Sequence, residues 1–95
     1  MLTNVLISED ETRMREVMIM LLSDLGINIF EAADGAEAVD IFDNENIHLV
    51  ISDLKLPKKN GMEVLNHIKQ SRPEVPVIIV TAFGSIDNAV KAIRE

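Results

Sequence analysis

Four alternations of a short apolar strand with an amphipathic helix predict an α/β fold, a doubly wound parallel sheet with helices on both faces. Runs of β-branched and aliphatic residues recur at four places. Between them, apolar residues return at helical spacing, and Gly, Pro, Asn and Asp mark the joints. Strands that are apolar at nearly every position suit a sheet covered on both sides, as parallel sheets are.

Asn4-Val5-Leu6-Ile7-Ser8 reads as the first strand. Met14, Val17, Met18, Leu21, Leu22 and Leu25 then form one apolar helical stripe, and Gly26 is a stop signal. Ile27 to Phe30 is the second strand. Asp34 is placed to cap the next helix, with Glu37 three residues on, and Ala38, Val39 and Phe42 face inward. His48 to Ser52 is the third strand and delivers Asp53. Leu54 to Asn60 is a loop. Asn60 and Glu63 repeat the cap spacing before the stripe Val64, Leu65, Ile68. Pro73 and Pro76 bracket a turn before the fourth strand, Val77 to Thr81. Ser85 then caps a last helix carrying Ile86, Ala89, Val90 and Ile93.

The chain has 95 residues, the size of one domain spanning residues 1–95. Apolar residues make up 47%, with three Phe and no Trp or Tyr, so the core is aliphatic. The absence of cysteine excludes disulfides and thiolate metal sites. No apolar run approaches the roughly 18 residues of a membrane span, and the N-terminus lacks a signal-peptide pattern, so a cytoplasmic protein is expected. The net charge of −7 disfavours direct nucleic acid binding and favours cationic partners. The methionines read as core filler. His48 and His67 read as surface or partly buried polar residues without metal spacing.

The polar residues collect after the strands: Glu9 and Asp10 after the first, Asp53 after the third, Thr81 after the fourth. In a parallel sheet these positions share one edge, the ligand crevice of open α/β folds. If the first and third strands are neighbours, three carboxylates converge there. Such crowding raises their pKa values unless a cation neutralises it, and an oxygen-only donor set suits Mg²⁺. Asp10 also stands where a helix N-cap would, which is the plainer reading of a single acid after a strand. A carboxylate beside Mg²⁺ can attack phosphorus, and the Thr81 hydroxyl can donate to the phosphoryl group. Neither a GxxxxGK loop nor a GxGxxG turn is present, so phosphate comes from a small donor or a phosphoprotein rather than a nucleotide cradle.

Glu9-Asp10 followed by Arg15, the segment Ala32 to Ala38, the loop from Asp53 through Pro57 to Gly61-Met62, and Val80-Thr81-Ala82 together resemble the receiver domain of bacterial two-component response regulators. The resemblance covers the whole chain in order. The stretch Thr81 to Val90 is most similar to receivers of enhancer-binding transcription activators. The resemblance implies a flavodoxin-like (CheY-like) sheet of order 2-1-3-4. It also implies a phospho-acceptor switch rather than an enzyme. Asp53 would accept phosphate from a histidine kinase, and Mg²⁺ would be held by Glu9, Asp10, Asp53 and the backbone carbonyl of Lys55. Thr81 would be the switch hydroxyl, and Ala82 the small neighbour that leaves it room. The family usually has Asp where this chain has Glu9, whose extra methylene suits a ligand acting directly or through water.

Receivers of this kind continue into a fifth strand, followed by an active-site lysine, and a fifth helix, and the sequence shows no counterpart of these. The expectation is a receiver truncated to four βα units. Its fourth strand would be an exposed edge, self-associating as a homodimer or domain-swapped oligomer through that strand and the last helix. Two other readings compete with the switch. One is a receiver-like scaffold without phosphotransfer. The other is a small Mg²⁺-dependent phosphatase, disfavoured because no Asp-x-Asp pair follows a strand.

Overall fold

The computed structural model describes residues 3–80. Four strands, β1 (Asn4–Ser8), β2 (Asn28–Ala32), β3 (Leu49–Asp53) and β4 (Val77–Val80), alternate with α1 (Thr12–Leu22), α2 (Gly35–Asn44) and α3 (Gly61–Ser71). All strand pairs are parallel and the order is β2-β1-β3-β4, as the family resemblance implies. Thr81, Ala82 and the helix expected after Ser85 lie outside the described residues.

The expected helix boundaries rest on side chains that do what their spacing suggested. Asn60 Oδ1 accepts from the Glu63 N–H at 3.0 Å and Glu63 Oε1 accepts from the Asn60 N–H at 3.3 Å, a complete capping box on α3. Asp34 Oδ1 accepts from the Glu37 N–H at 2.7 Å, whereas Glu37 reaches back to the Ala33 N–H rather than to Asp34. At the end of α1 a short 3-10 turn, Ser23–Leu25, runs into Gly26, whose φ of 67° places it in the left-handed region that glycine enters without strain.

β2 starts one residue later than expected and runs on to Ala32. Register explains this: Asn4 to Ser8 align with Asn28 to Ala32, so the full length of β1 recruits Glu31 and Ala32. β3 likewise includes Asp53, which aligns with Val80 of β4.

The main core lies on the sheet face covered by α2 and α3. Leu6, Val50, Val77 and Ile79 from the strands meet Ala38 and Phe42 of α2 and Val64, Leu65 and Ile68 of α3. Arg72, just past α3, lies over the Phe42 ring at 4.1 Å and donates to the Phe42 and Glu45 carbonyls at the end of α2. Its guanidinium thereby satisfies carbonyls that a helix end leaves open.

α1 packs on the other face, against β1. Here one expectation is corrected. The stripe read as a single buried face is split: Met18 and Leu22 are half-buried, while Met14, Val17, Leu21 and Leu25 are exposed, Leu21 at 74%. No residue of α1 is fully buried. Met14 and Met20 are therefore surface residues and not core filler. A single sheet contact covers a narrower arc than this stripe spans.

Candidate functional site

Parallel strands deliver their C-terminal ends to one edge, and β1 and β3 are neighbours, Ser8 aligning with Ser52. The residues that follow are thereby brought together. One carboxylate oxygen from each of Glu9, Asp10 and Asp53 lies within 4.8 Å of the other two.

Each acid is held differently. Glu9 is 6% exposed. Its N–H continues the sheet by donating to the Ala32 carbonyl at 3.0 Å, and its carbonyl accepts from Arg15 Nη1 at 2.7 Å. Arg15 Nε also pairs with Glu31 Oε1 at 3.1 Å, so this arginine ties α1, β2 and the acidic turn into one unit. Burial pushes the Glu9 carboxyl up to about 7; the Glu11 N–H opposes this by donating to Oε2, and the charge of Asp53 adds to the rise. Asp10 is exposed at the mouth. It does not cap α1: the N-cap is Glu11, without a side-chain cap. That leaves Asp10 with its carboxylate at the cluster. Asp53, half-buried, accepts from the Lys55 N–H at 3.3 Å.

The loop after β3 forms one wall. A hollow of about 490 Å³ beside the acids is lined by Asp10, Lys55 and Asn60 together with the apolar Leu54, Leu56, Pro57 and Met62. Gly61 begins α3 where the loop folds back on β3. Its N–H donates to the Leu54 carbonyl at 2.8 Å, and a Cβ there would stand 2.4 Å from the Asp53 carbonyl oxygen. Glycine at this position is a packing requirement.

The sequence-identified acids thus converge, and Lys55 lies beside them with its N–H on Asp53. Thr81 follows Val80 but is outside the described residues. The bridging role of Arg15 was legible only as part of a motif, because its partners are 6 and 16 residues away in sequence. His48 is exposed, with Nδ1 accepting from the Asn4 N–H at 2.9 Å. His67 is partly buried and meets Asp43 at 2.7 Å. Both lie outside the acidic cluster.

The donor set fits a hard divalent cation. Three carboxylates within bonding reach of a common centre, one of them held up to about 7 by burial and a neighbouring charge, are relieved by a cation between them.

Known proteins carry the same arrangement of sequence and fold. The luminescence regulatory protein LuxO of Vibrio campbellii is 40% identical over 87 residues, 92% of this chain and 19% of that protein. The transcriptional regulatory protein GlrR of Escherichia coli is 34% identical over 92 residues, 97% of this chain and 21% of that protein. The chain therefore spans about one fifth of the length of these curated relatives. Among solved structures, the signal receiver domain of a LuxO-type repressor from Vibrio parahaemolyticus superposes with a TM-score of 0.90 at 35% identity, covering 99% of this chain and 72% of that one. Response regulator TrrA of Thermotoga maritima, solved in complex with Mg²⁺ and BeF, superposes at 0.85 with 30% identity, covering 96% of this chain and 81% of that one. The family model for the response regulator receiver domain matches residues 5–95. With the sheet order and the acidic edge already in place, these matches make the chain a member of the response regulator receiver domain family.

Proposed function

We propose that the chain is a phospho-acceptor switch of a two-component pathway, with Asp53 as the residue phosphorylated. The observation that carries this is the meeting of Glu9, Asp10 and Asp53 oxygens within 4.8 Å at the C-terminal edge of neighbouring strands. Glu9, Asp10, Asp53 and the Lys55 carbonyl would hold Mg²⁺. When bound, the ion offsets negative charge on the phosphoryl oxygens and on the crowded acids.

The donor is the phosphohistidine of a histidine kinase. An Asp53 carboxylate oxygen attacks phosphorus, the P–N bond breaks, and the imidazole leaves with the bond electrons and takes a proton from solvent. The Lys55 N–H, already on Asp53 Oδ1, orients the attacking group. The hollow beside it, apolar at Leu54, Leu56, Pro57 and Met62, gives an incoming surface a place to exclude water. The Thr81 hydroxyl would donate to the transferred group and report its presence. The role is signalling, with output through the transcription-regulator architecture of the relatives, in the cytoplasm and without direct nucleic acid contact by this domain. Among the described residues no helix is long and apolar enough to cross a membrane.

Intact mass after incubation with Mg²⁺ and a small phosphodonor tests this reading. Gain of one phosphoryl group, absent in Asp53→Asn and without Mg²⁺, is expected. A folded protein that gains none would leave the scaffold reading in its place.

The scaffold property has its own support. Ile78 and Val80 of β4 are 43% and 41% exposed on the α1 face, and among the described strands β4 pairs only with β3. Such an edge accepts a further strand. The chain would then form a homodimer or domain-swapped oligomer through β4 and the segment after it. Sedimentation showing a compact monomer at micromolar concentration would exclude this.

A further inference from the structure

α2 contributes none of the crevice acids, yet its first turn is locked to the loop that walls the crevice. The Gly35 N–H donates to the Pro57 carbonyl at 3.1 Å, and that carbonyl also accepts from the Lys59 N–H at 2.8 Å. A Cβ on Gly35 would stand 1.7 Å from the Lys59 carbonyl oxygen and 2.5 Å from its carbon. Real Cβ contacts essentially never fall below 3.0 Å, so any side chain here drives loop backbone away by more than an ångström. Between Pro57 and Lys59, Lys58 adopts a φ of 69°, and its Nζ lies 3.5 Å from Asp34 Oδ2, the cap of the same helix. The other end of the loop is fixed where the Gly61 N–H meets the Leu54 carbonyl. Lys55 lies between these two anchors.

We infer that Gly35, at the N-terminus of α2, is a positioning residue for the loop that carries the Lys55 carbonyl, and so tunes Mg²⁺ binding at the acidic crevice from another element of the fold. The inference rests on the Mg²⁺ reading above. Mg²⁺ tolerates little departure from octahedral geometry at about 2.0–2.1 Å, so whatever part of the Lys59 displacement passes through Pro57 to Lys55 weakens the hold of its carbonyl on the ion. Coupling of this kind is reciprocal: a ligand that fixes the loop is felt at Gly35.

Amide spectra of the 95-residue chain during a Mg²⁺ titration read this directly. The Gly35 and Lys55 amides are expected to shift with one common midpoint, while Gly26, at the far end of α1, stays still. Gly35→Ala is expected to weaken Mg²⁺ at least tenfold while its spectrum remains that of a folded protein. Val39→Ala, which loosens α2 on the core side, is expected to lower stability and leave Mg²⁺ affinity unchanged. A still Gly35 amide while Lys55 titrates, or an unchanged Mg²⁺ affinity in Gly35→Ala, overturns the inference and leaves the Mg²⁺ reading standing. A spectrum indifferent to Mg²⁺ throughout overturns both. Should Gly35→Ala not fold, the wild-type titration decides.

Discussion

On the sheet face shared by α2 and α3, Leu6, Val50, Val77 and Ile79 are each less than a tenth exposed. On the opposite face the aligned residues Ile7, Ile51 and Ile78 pass from fully buried, through half-buried, to 43% exposed across the sheet. Both faces are written in the same aliphatic residues. The difference lies in the helices that reach them. Among the described residues, α2 and α3 cover one face, while α1 alone lies on the other and reaches β1. Hydrophobic sequence fixes which residues seek cover, and the count of helices on each side fixes which obtain it. The covered face holds the main core, and on the other Ile78 and Val80 remain exposed.

The sharpest way to break this comparison is to cut one large side chain from each face. Phe42→Ala removes a fully buried ring and the platform of Arg72, and should cost about 3–5 kcal/mol in denaturant unfolding. Leu21→Ala, at a 74% exposed position, should stay within about 0.5 kcal/mol in the monomer. Equal losses would mean that the α1 face is packed in solution.

The crevice sits between the faces and responds to pH. Glu9 has a folded pKa raised to about 7, so the native state binds more protons than the unfolded chain between the ordinary carboxylate range and that value. Stability of the metal-free chain should therefore be greatest at or below about pH 4.3, as far as Glu9 alone contributes, and fall as pH rises to about 7, by about 1–2 kcal/mol after allowance for residual hydration. Thermal melts across that range with chelator, and again with Mg²⁺, check this. With the acids holding Mg²⁺ as proposed, the ion should restore stability at the upper end, since it would bind their ionised forms in the folded state.

A smaller effect is expected at the α3 cap. Asn60→Ala removes one half of the capping box and should cost about 1 kcal/mol. The smallest stability change belongs to Leu21→Glu, within about 0.5 kcal/mol, yet that variant should lower the sedimentation coefficient if the α1 face contributes to association.

Much of this could be read from sequence because it is local. The caps Asn60 and Asp34 act on N–H groups three residues away, and Gly26 stops a helix at its own position. The acidic edge was legible for a different reason: parallel topology sends every strand end to one side, so residues following strands meet there once β1 and β3 are neighbours. The split of the α1 stripe was not legible, since periodicity tells which residues share an arc and not how much of that arc a neighbour covers. Gly35 was hidden for a related reason. Its reason for being glycine lies 24 residues away at Lys59. A hint was present, because glycine at the first helical position is weaker there than alanine and the local pattern gives it no turn to make.

The place of β1 has a consequence for how the chain is made. It is made before the other described strands, yet both of its edges are filled by later segments, residues 28–32 on one side and 49–52 on the other. Pairings this distant in sequence form slowly compared with helical contacts. A nascent chain that has emerged only through α2 can seat β2 but leaves the other edge of Val5 to Ser8 open, and with it a strand whose residues from Val5 to Ser8 are all buried in the finished fold. Synthesis rate through the segment between α2 and β3 should therefore govern the yield of native protein more than any pause after it, since β3 is what closes that edge.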